Sequence, residues 1–227
     1  MRVLGIDTSG YANAIGVVSE GKVLSDFVFE ARTDSLQKIV SNIDAALKSA
    51  SLKLTDIDGL GVGLGPGSWT GIRVGVTVGK ILAYATGKPV CGIPTLEALA
   101  YGAGDKGKQI LSIISVGTKD TVYAAFYRAG NDNLAMTGDY YVGDISGLAA
   151  MINEPTIITG PEVRAYAELI KKPGISVVEG VAKGVSIAIL AGLRFGRGES
   201  DNALALTPMY LKESTAKAFT GRYREKI

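Results

Sequence analysis

The chain has 227 residues, of which 47% are hydrophobic and 20% are charged, and its formal net charge is +2. This length fits one large domain or two small ones, and the composition is typical of a compact soluble protein. The net charge is too small to argue by itself for nucleic-acid binding. No apolar run reaches the roughly 18 residues that would span a bilayer, and the N-terminus has no signal-peptide layout. We therefore expect a cytoplasmic protein without a membrane partner.

The first half of the chain predicts the element order βββαβαβα. Alternating or continuous apolar runs indicate strands, and apolar residues three and four apart indicate helices. Glu20-Gly21 reads as a hairpin turn, so we expect the first three strands to form an antiparallel meander. The predictions are strands at 2–8, 12–19 and 22–30, a helix at 34–50, a strand at 59–64, a helix at 72–86, a strand at 89–93 and a helix at 95–101.

The helix at 34–50 has the clearest pattern in the chain. Asp34 and Gln37 resemble a capping box at its start. Apolar residues at spacings of three and four give it one apolar face. The residues of this face are Leu36, Ile39, Val40, Ile43, Leu47 and Ala50.

A polar, glycine-rich break at 103–108 is the candidate domain boundary, which divides the chain into domains 1–104 and 105–227. The second half repeats the order of the first, which predicts a duplicated α/β fold of two subdomains with a cleft between them. We leave open that the last helix packs back on the first domain. The basic end, 212–227, is interpreted as a solvated or frayed tail rather than an RNA-binding arm. The predicted elements are strands at 109–116, 121–128 and 134–142, a helix at 145–152, a strand at 156–159, a helix at 162–171, a strand at 175–179 and a helix at 185–195.

The sequence contains no histidine and a single cysteine, Cys91. Without histidine the chain cannot form a Ser-His-Asp or Cys-His catalytic site or a His-ligated zinc site. Cys91 lies in the apolar run 89–93, where we interpret it as a small buried hydrophobe. One cysteine excludes an internal disulfide and fits a reducing compartment.

The glycine-rich segment Gly65-Pro-Gly-Ser-Trp-Thr-Gly-Ile-Arg-Val-Gly75 lies between an apolar strand and an apolar helix. Glycine lacks the Cβ that would keep a ligand or another backbone away, and Pro66 stiffens the turn. Ser68 and Thr70 can cap the following helix. Peptide N–H groups at a helix N-terminus attract anions, so a phosphate or carboxylate could lie near 67–71. A tight turn without a ligand is the equal alternative, and the segment is not a dinucleotide fingerprint, a P-loop or a hydrolase elbow.

Gly71, Gly75 and Gly79 are four apart in the predicted second helix and form a smooth stripe. Each glycine costs roughly 1 kcal/mol relative to alanine in a helix interior, so a packing gain should offset them. The stripe either packs closely inside the subunit or forms an interface between subunits, and the sequence leaves both open.

The order of elements, together with Gly5-Ile-Asp-Thr-Ser9 at the end of the first strand, resembles the superfamily of sugar kinases, Hsp70 and actin, whose domains are RNase H-like. More closely, the chain resembles the bacterial TsaB (YeaZ) family, accessory proteins of tRNA threonylcarbamoyladenosine (t6A) biosynthesis. The resemblance covers nearly the whole chain, and Trp69 stands where the family usually has phenylalanine. The resemblance also rests on the glycine-rich segment, on Gly92-Ile-Pro-Thr-Leu-Glu-Ala98 and on Pro208-Met-Tyr-Leu-Lys212.

This resemblance implies a scaffold without catalytic or metal-binding residues of its own. The family's catalytic relative, TsaD, has a metal-binding histidine pair that the resemblance places on Thr95 and Leu99, and neither residue can replace an imidazole. The implied task is to pair with TsaD, together with the ATPase TsaE, for threonylcarbamoyl transfer to N6 of adenosine 37 of tRNA. Further implications are a homodimer when TsaD is missing, contact with tRNA only through the complex, no cofactor for the chain alone, and ATP as a candidate ligand of the complex interface.

The family pairs through helices of its N-terminal domain, which implies an interface on the helices at 34–50 and 70–86. The implied interface residues are Leu36, Ile39, Val40, Ile43, Leu47, Gly71, Arg73, Gly75, Val78, Gly79 and Leu82.

Asp7 has two alternative roles. In ATP-using members of the superfamily an aspartate at this strand end helps to position metal and phosphate. Alternatively, Asp7 caps the turn that follows the strand. With Gly65, Gly67, Ser68 and Thr70 it forms a candidate phosphate site. The rival functions are a small-molecule kinase or ATPase that uses the cleft and, less favoured, a peptidase.

Overall fold

The computed structural model describes residues 1–10, 12–30, 37–104, 107–115, 121–130 and 134–212. None of the helices within these ranges is long and apolar enough to cross a membrane. A short 3₁₀ turn, Leu54–Asp56, precedes the fourth strand. The strands and helices are β1 (Arg2–Asp7), β2 (Ala12–Ser19), β3 (Lys22–Glu30), α1 (Ile39–Ser49), β4 (Gly59–Gly63), α2 (Trp69–Thr86), β5 (Val90–Ile93), α3 (Thr95–Ala103), β6 (Gln109–Ser115), β7 (Val122–Ala129), β8 (Leu134–Met136), β9 (Tyr141–Gly143), α4 (Ile145–Met151), β10 (Thr156–Gly160), α5 (Val163–Ile170), β11 (Ile175–Glu179) and α6 (Gly184–Gly196).

These strands form two sheets with the same topology. The first has the order β3-β2-β1-β4-β5, and the second has the order β11-β10-β6-β7-β8, with β9 also paired to β7. In the first sheet β1 pairs antiparallel with β2 and parallel with β4. In the second, β6 pairs antiparallel with β7 and parallel with β10. The repeat confirms the predicted duplicated α/β fold.

The helices cover both sheets and fill the space between them. On the outer face of the first sheet, α1 packs on β2 and β3 while α2 packs on β4 and β1. On its inner face lies α6, against β1, β2 and β4. The inner face of the second sheet carries α3, which also touches α6, and the far side carries α4 and α5. The last helix thus packs back on the first sheet. Other contacts join elements on either side of residues 104 and 105, so the domain boundary at this point stays a prediction.

Glycine allows α6 to lie directly on the first sheet. A Cβ on Gly5 would collide with the carbonyl oxygen of Gly184, and one on Gly16 would collide with the backbone nitrogen of Val185. Since these obstacles are backbone atoms, they cannot move aside as a flexible side chain would. The start of α6 and the middle of β1 and β2 are therefore in backbone-to-backbone contact.

Two predicted elements differ from the structure. The single strand predicted at 134–142 is wrong, because the chain breaks at Gly138, whose φ is +81°, and forms β8 and β9 instead. The helix predicted from 72 begins at Trp69, where the cap of Ser68 starts it.

The helix predicted at 34–50 begins at Ile39, after a turn at 37–38, and its N-cap residue is Lys38. Gln37 therefore precedes the helix, and its predicted role in a capping box is wrong. Asp34 and Leu36 lie outside the described residues. The basic end beyond Lys212 also lies outside them. Ile39 and Ile43 are buried as predicted, but Val40 is 60% exposed and does not belong to the buried face.

The glycine stripe of α2 faces the first sheet. A Cβ on Gly71 would collide with the carbonyl oxygen of Thr8, and one on Gly75 would collide with Oγ1 of Thr8. On Gly79 it would meet Cγ2 of Val62. Of the two alternatives left open by the sequence, close packing inside the subunit is therefore the one that the structure contains.

A pair of glycine substitutions in α6 tests this packing. Gly184→Ala places a Cβ against the backbone of Ile15 and Gly16, so we expect the free energy of unfolding to fall by about 1–3 kcal/mol. The matched control is Gly192→Ala, whose Cβ would lie 3.6 Å from Cγ2 of Val3, and it should be neutral or stabilising by up to about 1 kcal/mol. Denaturant unfolding measures both, and equal stabilities would contradict the proposed contact.

Candidate functional site

A cavity of about 370 Å³ lies between the two halves, beyond the carboxyl ends of parallel strands. The first half contributes the end of β1, the loop before α2 and the start of α3; the second half contributes the ends of β6 and β10 and the loop before α6. Ligands of open α/β sheets bind at this end of the strands, and the volume suits a small molecule. This cavity is therefore the candidate ligand site.

Strand alternation places Asp7 at the floor of the cavity. Val3 belongs to the inner core, whereas Leu4 and Ile6 belong to the outer core. Since side chains alternate along a strand, Asp7 points to the same inner side as Val3. It is 1% exposed. A Cβ on Gly63 of β4 would overlap Oδ2 of Asp7, so a glycine is required there for the carboxyl group to fit.

Hydrogen bonds surround the carboxyl group of Asp7. Its Oδ1 accepts from the backbone N–H of Ser9 at 2.9 Å and lies 2.7 Å from Oγ of Ser9. Its Oδ2 lies 3.0 Å from Oγ1 of Thr95. Burial raises the pKa of Asp7, and the hydrogen bonds from Ser9 and Thr95 oppose that shift. The bond from the N–H of Ser9 is the one that the turn-capping alternative requires.

The glycine-rich segment forms the turn into α2. Ser68 caps the helix, because its Oγ accepts from the N–H of Gly71 at 3.3 Å. Its own N–H donates to the carbonyl oxygen of Ser9 at 2.6 Å, which ties the turn to the end of β1. Gly65 has a φ of +93°, a value that favours glycine. Thr70 lies inside the first helical turn, so its predicted capping role is wrong.

The candidate phosphate residues are only partly brought together. Asp7, Gly67 and Ser68 line the cavity, whereas Gly65 and Thr70 do not. No lysine or arginine is among the described residues that line it. Phosphate binding here stays a prediction, supported by the N-terminus of α2.

Thr95 and Leu99 both line the cavity. The two positions that the resemblance matches to a metal-binding histidine pair therefore face the same space as Asp7. Within the described ranges, no group of three or more Cys, Asp or Glu side chains is placed to hold a metal ion.

Cys91 is a buried hydrophobe, as predicted. Its side chain is 2% exposed, and its Sγ lies 3.7 Å from the carbonyl oxygen of Glu199. Burial, with the nearby charge of Asp201, raises the pKa of its thiol to about 11. The thiol is therefore protonated at neutral pH and is a poor nucleophile.

An aromatic cluster at the cavity rim was missed by the sequence analysis. The rings of Trp69 and Tyr210 lie 4.2 Å apart, and Cζ of Arg73 lies 4.5 Å from the centre of the Trp69 ring. Nε of Arg73 donates to the hydroxyl of Tyr210 at 2.9 Å, across 137 sequence positions. The cluster joins two segments that carry the family resemblance, but their contact has no local sequence signal.

The residues of the implied partner interface divide by burial. Ile39, Ile43 and Leu47 are buried in the outer core, as are the three glycines of the stripe, so this face of each helix is occupied by the chain's own sheet. These residues support the fold, and their implied role at a partner interface stays a prediction. Val78 and Leu82 are half-buried, Val40 and Arg73 are exposed, and Leu36 lies outside the described residues.

An exposed stripe along α2 was also missed. Arg73, Thr77, Ile81 and Tyr84 follow at spacings of four, four and three, so they share one helical face. Ile81 is 59% exposed and Tyr84 is 73% exposed. With Val40 of α1 they place three large apolar side chains on the outer helical layer. The sequence signal for this surface is the pair of apolar residues Ile81 and Tyr84 on the helical face away from the glycine stripe.

Comparisons with known proteins agree with this fold. Residues 29–189 match the family model of TsaD, tRNA N6-adenosine threonylcarbamoyltransferase. The chain is 32% identical to the tRNA threonylcarbamoyladenosine biosynthesis protein TsaB of Escherichia coli (strain K12), over 58% of this chain and only 57% of that protein. It is 24% identical to the protein of the same name from Bacillus subtilis (strain 168), over 75% of this chain and 76% of that protein. The solved structure of YeaZ from Pseudomonas aeruginosa has a TM-score of 0.81 at 24% identity, covering 92% of this chain and 99% of that one, which shows a shared fold.

The hydroxyl of Thr95 is expected to stabilise the cavity floor. Thr95→Val leaves Oδ2 of Asp7 buried without its partner, so the free energy of unfolding should fall by about 1–3 kcal/mol. Thr95→Ser keeps the hydroxyl and is the matched control, with a smaller loss. Thermal and denaturant unfolding measure the difference, and valine and serine variants of equal stability would contradict it.

Proposed function

Because the chain belongs to the TsaD family, in which its curated relatives carry the TsaB name, we propose that it is a non-catalytic subunit in t6A biosynthesis. In this proposal it pairs with a TsaD-type transferase and holds that partner in its active shape. The observation that carries the proposal is the pair Thr95 and Leu99, which line the cavity at the positions matched to the metal-binding histidine pair of TsaD. The chain has no histidine at any position.

The exposed stripe of α2, together with Val40, supports a protein partner. Ile81, Tyr84 and Val40 are each more than half exposed, at 59%, 73% and 60%. Exposed large apolar side chains that are neighbours on one helical face, as Ile81 and Tyr84 are, mark interaction sites. The glycine stripe on the other face of α2 packs on the first sheet, so the exposed stripe is held in place before binding, which lowers the cost of association.

The remaining parts of the proposal are taken from the resemblance to the TsaB family. The same surface would form a homodimer when the transferase is missing. TsaE would join the pair, ATP would bind at the complex interface, and tRNA would meet the chain only as part of the assembly that modifies adenosine 37. A cytoplasmic location belongs to the proposal as well.

A second candidate function is supported by the cavity. Its place between two RNase H-like halves would suit a nucleotide-dependent kinase or ATPase. That function predicts ATP turnover by the isolated chain, whereas the subunit function predicts none.

The deciding experiment mixes the purified chain with the transferase of the same organism. Light scattering with and without ATP gives the mass of any complex, and addition of TsaE with unmodified tRNA measures t6A formation. A one-to-one complex that is required for modification supports the proposal. Failure to associate, with tRNA modified equally well in its absence, would contradict it.

Substitutions on the exposed stripe locate the surface. Ile81→Glu and Tyr84→Lys place charge where apolar contact is proposed, so we expect at least about tenfold weaker binding of the transferase, or roughly 1.4 kcal/mol. Both side chains are exposed, so circular dichroism and the melting temperature should change little. Binding and tRNA modification are measured together.

The control is Leu169→Glu, because Leu169 is 63% exposed on α5 in the other half of the molecule. It should bind the transferase as the wild type does. Wild-type affinity in both α2 variants would place the interface elsewhere. Gly75 and Gly79 are unsuitable for this test, since their substitution would disturb packing on Thr8 and Val62.

A further inference from the structure

Three buried side chains form a closed triangle at the cavity floor. Oγ of Ser9 lies 2.7 Å from Oδ1 of Asp7 and 2.8 Å from Oγ1 of Thr95. Oγ1 of Thr95 lies 3.0 Å from Oδ2 of Asp7. Asp7 and Ser9 are each 1% exposed, and Thr95 is 3% exposed. All three separations are hydrogen-bond distances between oxygen atoms.

The number of protons in this triangle depends on the charge of Asp7. Each contact needs one proton between its two oxygens, and each hydroxyl of Ser9 and Thr95 supplies one. An ionised carboxylate only accepts, so three contacts would share two protons. One buried pair of oxygens would then meet through lone pairs alone, which is unfavourable.

A protonated Asp7 supplies the missing proton. Its Oδ2–H donates to Oγ1 of Thr95, the hydroxyl of Thr95 donates to Oγ of Ser9, and the hydroxyl of Ser9 donates to Oδ1 of Asp7. Each hydroxyl in this ring donates once and accepts once. The backbone N–H of Ser9 adds a further bond to Oδ1 at 2.9 Å.

Among the described residues, the side chains around Asp7 offer no charge that would hold it ionised. Strand β2 presents Ala14 beside it, β4 presents Gly63, and α3 presents Thr95. Elsewhere in the cavity the described wall residues, from the loop before α2 to the loop before α6, are all uncharged. Burial has the largest effect on the pKa of Asp7 and raises it, while the hydrogen bonds from Ser9 and Thr95 lower it by less.

We propose that Asp7 is a neutral carboxylic acid at neutral pH and that its proton closes a hydrogen-bonded ring joining β1 to α3. The floor of the cavity then has no charge with which to bind a divalent cation. The cavity is then suited to an organic ligand that hydrogen-bonds to hydroxyl groups, which argues against the metal–nucleotide pair that the second candidate function would need. This inference does not depend on the proposed partner.

Carbon-13 NMR of aspartate-labelled protein tests the charge directly. Asp7→Asn assigns the resonance by its disappearance. We expect the carboxyl carbon of Asp7 to keep the shift of a protonated acid at neutral pH and to be unmoved by millimolar MgCl₂. An ionised shift at neutral pH, or a shift caused by Mg²⁺, would overturn the proposal.

Stability against pH gives a second, independent test. In the unfolded chain Asp7 titrates near its ordinary pKa of 3.8, whereas a neutral Asp7 in the folded chain retains its proton to higher pH. Between the two pKa values the folded state binds one more proton, so stability falls as pH rises. The ratio of unfolding constants, wild type over Asp7→Asn, should therefore rise about tenfold per pH unit, or 1.36 kcal/mol.

Asparagine is the matched variant because its amide has the shape of the neutral acid, accepts at one end and donates at the other. It does not titrate, so its own pH dependence reports all other groups. A ratio that is flat from about pH 5 to neutral pH would mean that Asp7 is ionised in both states, which overturns the proposal. If the variant does not fold, the wild-type spectrum still tests the proposal without an assignment, because the absence at neutral pH of any aspartate carboxyl carbon with the shift of a protonated acid would overturn it.

Discussion

The contact of α6 with the first sheet is the constraint on which the rest of the structure depends. Gly5, Gly16 and Gly184 bring two backbones together without side chains between them. Because α6 lies so low on this sheet, there is room for α3 beside it and for the second sheet beyond. The two halves are thereby held across a shared inner core, and the carboxyl ends of their parallel strands face one cavity. Any residue with a Cβ at these glycines would push the layers apart and change the site that they enclose.

Within that cavity, burial decides the chemistry. A carboxyl group at this strand end would be a metal ligand, and could hold phosphate through that metal, if it were ionised and open to a cation. Here Asp7 is enclosed by Gly63, Ser9 and Thr95, and its hydrogen bonds are made to groups of its own chain. The same residue type at the same place in a strand can therefore have a different role when its partners are hydroxyl groups instead of charged groups. Its neighbours, more than its identity, set what the cavity can bind.

The outer helices α1 and α2 each pack one face on the first sheet and also carry exposed apolar side chains. The apolar residues of α1 and the glycines of α2 meet the first sheet, which anchors both helices. The side of α2 away from the glycines carries Ile81 and Tyr84, and Val40 is exposed at the start of α1. At the start of α2, Arg73 and Tyr210 extend this surface toward the cavity rim. This exposed surface therefore lies on the same helix that begins at the cavity.

Local sequence determined the elements of this protein. The meander at β1 to β3, the cap at Ser68, the burial of Cys91 and the repeated order of strands and helices all follow from residue periodicity, turn chemistry and composition. Gly138 is an exception. Residue periodicity predicted one continuous strand at 134–142, but the positive φ of Gly138 divides this segment into two strands. Periodicity also identified apolar helical faces without saying whether a sheet or a partner covers them. Only the tertiary structure decided that the glycine stripe faces inward, that Asp7 meets Thr95 across 88 positions, and that Tyr210 returns to Arg73. The physical reason is that the spacing of apolar residues along one element indicates which of its faces is buried, whereas the residues that it contacts depend on how distant elements pack.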